Sequence, residues 1–204
     1  MQKLDLVREL GDLYRPPAQQ PVLVQVPQMA FLMIDGAGDP DTSPAYAQAV
    51  EALYAVSHAA KFAARRRPEP VDYKVPPLEG LWWSQDMAAF PEGHRDAWSW
   101  TMLIAQPPVV TATLVDQAVA DAGRRRDLPV LGRLRFERFT EGLCAQIMHV
   151  GPYAAEGPTI EKLHAFIAER GYARRGRHHE IYLGDPRRTA PERLRTVIRQ
   201  PVGS

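Results

Sequence analysis

The stretch Gln146-Ile147-Met148-His149-Val150-Gly151 can be laid without a gap on Phe31-Leu32-Met33-Ile34-Asp35-Gly36 in the first half of the chain. The full alignment places residues 137–151 on residues 22–36, and both runs end at a glycine. Each run is β-forming and is followed by a Gly- or Pro-containing turn and then by a helical pattern. An internal repeat of this kind predicts that one structural unit is built twice.

The first half of the chain supplies short β-forming stretches around one long helical pattern. Ser43-Pro44 has the residues of a helix start, and apolar positions at helical spacing continue to about Lys61. A second helix is predicted at 111–122, ended by Gly123, and a docking helix at 4–14. The predicted strands are 22–26 and 31–34, as a strand pair or one bent strand, and 71–75, 78–83 and 97–105.

The second half repeats this order. Ile160, Leu163, Phe166 and Ile167 predict a helix that ends before Gly171, and strands are predicted at 179–183 and 196–202. Between them, Thr189-x-x-Glu192 is a capping signature that predicts one helical turn.

Two strand–helix–strand–strand units predict an α+β fold. The units would form one antiparallel sheet with the helices on one face and a ligand cleft between the repeats. We expect a single domain over 1–204, with repeat one at about 21–106, a connecting helix at about 109–124 and repeat two at about 131–202.

Charge and cysteine content exclude several classes of protein. Lys and Arg number 25 against 24 Asp and Glu, so no overall charge favours nucleic acid or an anionic membrane as partner. Cys144 is the single cysteine, and the first residues carry acidic side chains where a signal peptide needs an apolar run. We therefore expect a cytoplasmic protein that has neither nucleic acid nor membrane as a partner.

Glu180 is the first candidate for chemistry. Strand alternation places His178, Glu180 and Tyr182 on one face, and the mostly apolar neighbours on the other predict that Glu180 faces the open side of the sheet. A carboxylate among aromatic rings attracts cations or takes part in proton transfer. The alternative is a solvated strand glutamate paired with an arginine. Glu79 occupies the corresponding place in the first repeat.

Aromatic residues are concentrated near this strand. All four tryptophans fall between Trp82 and Trp100, and strand alternation points neighbouring ones to opposite faces. A slot between such rings would hold a flat apolar ligand, although aromatic stripes are also typical of a core. The candidate ligand contacts are Tyr73, Trp82, Trp83, Trp98, Trp100, Tyr153, Tyr182 and Glu79.

Other chemistries have little support. His178 and His179 point apart on a strand, so they do not form a metal pair, and Cys144 has no identifiable base and is expected to be a buried structural thiol. Residues 36–40 lack the lysine and the spacing of a phosphate loop. We expect neither a metal nor a cofactor.

Four stretches resemble stand-alone GyrI-like proteins, and the resemblance runs from about Lys3 to Val202. It implies the duplicated fold, and it relates the chain to the effector-binding domains of multidrug-sensing transcription regulators, in which a cleft carboxylate at the position of Glu180 receives cationic aromatic drugs. One stand-alone branch hydrolyses cyclopropane-bearing DNA-alkylating compounds with a cleft glutamate. The stretches are residues 31–40, 78–83, 142–153 and 178–188.

Three functions follow as hypotheses. In the first, a ligand stacks among Trp82, Trp98 or Trp100, Tyr153 and Tyr182 while Glu180 positions or deprotonates water, which would make the protein a detoxifying hydrolase. In the second, Glu180 is only the counter-charge of a bound drug. The third is an interaction protein that inhibits DNA gyrase. With about 20 residues before the first strand, no helix-turn-helix module is expected.

Overall fold

Five α-helices and eleven strands make up the part of the chain that the computed structural model describes, residues 2–84 and 97–204. The first half contains β1 (Gln2–Leu4), α1 (Leu6–Glu9), α2 (Gly11–Tyr14), β2 (Val22–Val26), β3 (Met29–Ala37), α3 (Pro44–Arg65), β4 (Val71–Tyr73), β5 (Leu78–Trp83) and β6 (Ser99–Gln106). The second half contains α4 (Ala112–Arg125), β7 (Arg135–Phe139), β8 (Gly142–Val150), α5 (Gly157–Glu169), β9 (Ala173–Arg174), β10 (His178–Tyr182) and β11 (Arg195–Gly203).

A nine-stranded sheet joins the two halves in the order β2-β8-β11-β10-β5-β6-β3-β7, with β9 beside β11. All of its pairings are antiparallel, and β1 and β4 form a separate parallel pair. The predicted α+β fold with one large antiparallel sheet is confirmed. This order is symmetric. It reads the same from either end when β2, β3, β5 and β6 are exchanged with their counterparts in the second repeat, which are β7, β8, β10 and β11. β2 and β3 are not paired with each other. β2 crosses to the second half and pairs with β8, and β7 crosses to the first half and pairs with β3.

One row of paired residues shows which side of the sheet the helices cover. The row crosses β3, β6, β5, β10, β11 and β8 through Ile34, Met102, Gly80, Glu180, Ile198 and Ile147. α3 lies over β3 and β6 and carries α4 on its flank, while α5 lies over β8. The three long helices therefore share one face, as predicted, and Glu180 lies between the areas that α3 and α5 cover.

The opposite face is covered in part by the N-terminal segment. Leu13 and Tyr14 of α2 pack on Cys144, Ile181 and Val197. Two helices thus lie on the face that was predicted to be free of them, so the expectation that all helices share one face holds only for the long ones.

Three local predictions were wrong. The predicted helix at 4–14 is interrupted at Leu10, whose ψ of 44° leaves the helical region, so two short helices form. Gly123 does not end α4, which continues to Arg125. Thr189 caps no helix, because the short 3₁₀ turn that follows begins at Pro191 and places Ala190 at its N-cap. No helix in the described ranges is both long and apolar enough to cross a membrane.

Candidate active site

Glu180 occupies the centre of the sheet, and the residue paired with it on β5 is Gly80. A Cβ atom at Gly80 would lie 2.6 Å from Trp82 Nε1 and 3.1 Å from the Tyr182 hydroxyl. The missing side chain therefore leaves room for an indole and a phenol to meet directly beside the carboxylate.

Glu180 is held by hydrogen bonds to both of its oxygens. His178 Nε2 lies 3.0 Å from Oε1, and the Tyr182 hydroxyl donates to Oε2 at 2.7 Å and accepts from Trp82 Nε1 at 3.0 Å. Burial alone would raise the pKa of Glu180, but His178 above all, and then Tyr182, outweigh it, so the pKa is lowered. The side chain keeps 15% of its surface exposed. The site therefore presents an ionised carboxylate that a ligand can reach.

A second carboxyl group, that of Glu156, lies close enough to Glu180 for the two groups to interact electrostatically. Glu156 precedes α5 at its N-cap position and is 5% exposed. Burial and the negative charge of Glu180 raise the pKa of Glu156 to about 9. At neutral pH the pair carries one negative charge.

Aromatic rings surround the two carboxyl groups. Tyr46 of α3 stacks on Trp82 at a centroid distance of 6.1 Å, and Trp98 meets Trp82 edge-on at 5.7 Å. On the other side, Tyr153 meets Tyr182 edge-on at 5.5 Å. We call Glu180, Glu156 and these five rings the central cleft. A surface cavity of about 420 Å³ between Val150 and Arg193 includes none of them, so the candidate site is defined by the contacts around Glu180.

The model of the GyrI-like small molecule binding domain matches residues 19–202 of this chain. The chain belongs to the GyrI-like family. This assignment agrees with the duplicated sheet and with the central cleft between its halves, and it makes the protein a small-molecule-binding domain.

Solved structures from Listeria innocua resemble this GyrI-like chain over almost its whole length. An uncharacterized conserved protein is 38% identical with a TM-score of 0.88, covering 98% of this chain and 100% of its own. A hydrolase is 36% identical with a TM-score of 0.84, over 98% and 100% of the two chains. A second hydrolase is 37% identical with a TM-score of 0.86, over 99% and 100%.

The EcmrR C-terminal domain shares the fold alone. It is 11% identical with a TM-score of 0.57, over 91% of this GyrI-like chain and 98% of its own. None of the curated proteins compared with the chain matches it.

Four of the predicted site residues in this GyrI-like chain lie together with Glu180: Trp82, Trp98, Tyr153 and Tyr182. They lie with Glu180 on the face of the sheet that the long helices cover, between α3 and α5. The other face carries His179 and Ile181 and is covered by α1 and α2. The expectation that Glu180 faces an open side of the sheet was therefore wrong.

The other four predicted contacts lie apart from Glu180. Trp83 has the opposite strand parity and packs under Arg177, whose guanidinium is 3.7 Å from the ring centroid. Trp100 is fully buried against Tyr46 and donates to the Gly38 carbonyl at 3.2 Å. Tyr73 lies beneath α3 with its hydroxyl 3.5 Å from the Ser57 carbonyl. These three are packing residues.

Glu79 lies on the face of the sheet opposite to Glu180, because it pairs with Ile181. There it accepts hydrogen bonds from Tyr14 at 3.2 Å and from His179 at 3.0 Å. His179 also contacts Glu141 at 2.9 Å, which in turn binds Arg199 at 2.9 Å. We call Glu79, His179, Glu141, Arg199 and Tyr14 the buried ion network. It leaves Glu79 no part in the central cleft.

Sequence reasoning missed Glu156 and Tyr46 as members of the cleft. Tyr46 lies within the helical pattern that follows Ser43-Pro44, where nothing distinguishes it from the other positions of that pattern, and Glu156 follows Pro152-Tyr153 in a turn. A signal for Glu156 was its place just before a predicted helix, where an N-cap serine or threonine is the usual residue.

The structure also describes the surroundings of Cys144 and of the possible metal ligands. Burial raises the pKa of the Cys144 thiol to about 12, which keeps it protonated and unreactive. Within residues 2–84 and 97–204, no group of three or more His, Cys, Asp or Glu side chains is placed to hold a metal ion.

Proposed function

We propose that this protein binds flat aromatic or cationic small molecules in the central cleft and hydrolyses reactive cyclopropane-bearing, DNA-alkylating compounds. The observation that carries the proposal is the ionised, partly exposed Glu180, held by His178 and Tyr182 among aromatic rings. Two relatives of 36% and 37% identity are hydrolases, which supports a hydrolytic reaction of some kind.

The proposed reaction adds one water molecule to the strained ring. The water oxygen bonds to a ring carbon while Glu180 takes its proton, the ring C–C bond breaks, and the electron pair moves to an acceptor group that is protonated in turn. A positioned general base contributes about 10²–10⁴-fold to the rate of such a step. The hydrogen bonds from His178 and Tyr182 fix the carboxylate in place, so that little reorganisation is needed.

The rings supply orientation. A flat ligand between the Tyr46–Trp82 pair and the Tyr153–Tyr182 pair would have its reactive carbon held near Glu180. Ligand stacking also excludes water from the carboxylate, apart from the molecule that reacts.

The second candidate function is binding without turnover, and the same charge distribution favours it. One net negative charge beside several rings is a suitable site for a monocation, since each cation–π contact adds about 0.5–2 kcal/mol. In that function Glu180 remains ionised and unreacted, and the protein sequesters its ligand.

Glu180→Gln separates the two functions. The amide keeps the size of the side chain but cannot accept a proton, so we expect hydrolysis of a cyclopropane-containing alkylator to fall at least about 100-fold, while a neutral aromatic ligand still binds. Ring-opened product is followed by mass spectrometry and binding by tryptophan quenching.

The matched control is Glu192→Gln, an exposed glutamate outside the cleft, which should retain wild-type turnover. Turnover that survives in Glu180→Gln would overturn the catalytic role. No product with wild-type protein, together with saturable quenching, would support the binding function.

A further inference from the structure

Glu156 is a buried acid that the stability of the fold does not explain. It stands at the N-cap position of α5 but makes no side-chain capping bond, and its Oε1 is buried with no hydrogen-bond partner in the described parts of the chain. Burying a polar oxygen without a partner costs free energy. The burial of Glu156 therefore calls for an explanation, and its neighbour Glu180 in the proposed ligand site supplies one.

Two neighbouring buried carboxyl groups favour a state in which one of them is protonated. Glu156 is buried beside Glu180, and two adjacent negative charges repel each other. Both oxygens of Glu180 already accept, Oε1 from His178 and Oε2 from Tyr182. These bonds stabilise the ionised form of Glu180, whereas Glu156 Oε1 has no partner in the described parts of the chain, so the proton belongs to Glu156. The central cleft holds one carboxylate and one carboxylic acid.

A cation that enters the central cleft changes this balance. A positive charge within about 4–6 Å favours the ionised form of a carboxyl group, and here it meets Glu180 and Glu156 together. Once the cation offsets the charge of Glu180, the repulsion that keeps Glu156 protonated is relieved.

We propose that the central cleft is a proton-exchanging cation site, in which an aromatic monocation binds to Glu180 and displaces the proton of Glu156 into solution. This inference rests on the proposed ligand class and adds to it the stoichiometry of exchange. Linkage makes the effect reciprocal: if binding releases a proton, raising the pH tightens binding, by up to tenfold per pH unit for one full proton.

Other charged and titratable groups lie around Glu156 and Glu180. Tyr153 and Tyr182 have raised pKa values, that of Tyr153 about 12, and the pKa of Tyr46 is raised further, so none of these phenols supplies a proton near neutral pH. The remaining charged and titratable groups that act on the cleft residues are Asp41, Tyr54, His178 and Asp185. Of these, His178 contacts Glu180 directly, so the test must assign any released proton to Glu156 by substitution.

The test compares N-methylphenanthridinium with phenanthridine, which has the same ring system without the charge. Isothermal titration calorimetry in two buffers of different ionisation enthalpy counts the protons released on binding between pH 7 and 8.5. We expect close to one proton released with the cation and none with the neutral compound. The affinity for the cation should rise close to tenfold per pH unit, while that for phenanthridine stays constant.

Glu156→Gln assigns the proton. The amide can still donate to Glu180 but has no proton to lose, so cation binding should persist with no proton released and no pH dependence; Glu192→Gln should behave as wild type. Cation binding without proton release in wild type, or equal release in Glu156→Gln, would overturn the inference. Failure of both compounds to bind wild-type protein would contradict the proposed ligand class itself, and the inference with it.

Discussion

The arrangement of the central cleft depends on Gly80, because this residue has no side chain. Directly across from Glu180, it leaves the space in which Trp82 donates to Tyr182 and Tyr182 donates to Glu180. Gly36 on β3 likewise leaves room for an aromatic ring, because a Cβ atom there would collide with the ring of Trp100. Both glycines lie on strands, where glycine is otherwise unfavourable.

Gly80→Ala is expected to lower the free energy of unfolding by about 1–3 kcal/mol, because the new methyl group must displace Trp82 or Tyr182. The same displacement should weaken ligand binding. Urea unfolding and tryptophan quenching measure the two effects. Gly132→Ala is the control, since a Cβ there meets nothing within 4 Å. Equal stability of the two variants would show that the cleft rings can shift freely.

Among the elements, the sequence identified those whose signal is local. Strands 22–26 and 78–83 were predicted with the bounds that the structure has, and Thr111 and Pro44 mark helix starts as expected. The alternation of β10 correctly placed His178, Glu180 and Tyr182 on one face. Local pattern could predict this much because strand parity and helix starts are set by neighbouring residues.

The errors concern contacts between distant elements. The sequence did not show that α2 covers the face of β10 that carries Ile181. Tyr14 of α2 donates a hydrogen bond there to Glu79, which is 65 residues away in the sequence. The alignment of Glu79 with Glu180 was off by one position, and on a strand a one-residue shift moves a side chain to the other face. Glu156 reaches Glu180 only because α5 packs over the sheet at β8. No short-range pattern contains that information.

Arg199 fastens the N-terminal segment to the sheet. It is 2% exposed and donates to Glu141 at 2.9 Å, to Gln146 at 3.0 Å and to the Leu13 carbonyl at 2.7 Å. Arg199→Met leaves Glu141 with an unpaired buried oxygen, so we expect a loss of about 3–5 kcal/mol in the free energy of unfolding. Arg195→Met, on the exposed side of the same strand, should change it by less than about 0.5 kcal/mol. Urea unfolding decides, and similar losses in both variants would contradict the role of the network.

For the whole molecule, the buried ion network sets a dependence of stability on pH. Burial alone would lower the pKa of His179, but Glu141 and Glu79 raise it to about 9 from its ordinary 6.5. Burial alone would raise the pKa of Glu141, but His179 and Arg199 lower it to about 2 from 4.5. Both groups therefore stabilise the fold fully between pH 4.5 and 6.5.

The free energy of unfolding should fall as pH rises from 6.5 towards 9, where His179 loses its proton, and as pH falls from 4.5 towards 2, where Glu141 gains one. Each group contributes at most about 1.4 kcal/mol per pH unit. Glu156 adds a loss of the same sign that begins above pH 4.5 and continues towards pH 9, because its pKa is raised from 4.5 to about 9. Glu156→Gln therefore isolates the part due to His179. Urea unfolding from pH 3 to 9 tests this, and a flat profile in that variant above pH 6.5 would refute the assignment to His179.

The exchange of edge strands between the two halves also bears on how the chain is made. On the ribosome, the first half emerges with β2 and β3 but without β8 and β7, the strands that pair with them. Neither unit can close its own edge, and the pairings that finish the sheet join segments far apart in the chain, which slows folding. The central cleft therefore takes shape only after β10 and β11 have been synthesised, and a truncated translation product has no binding site.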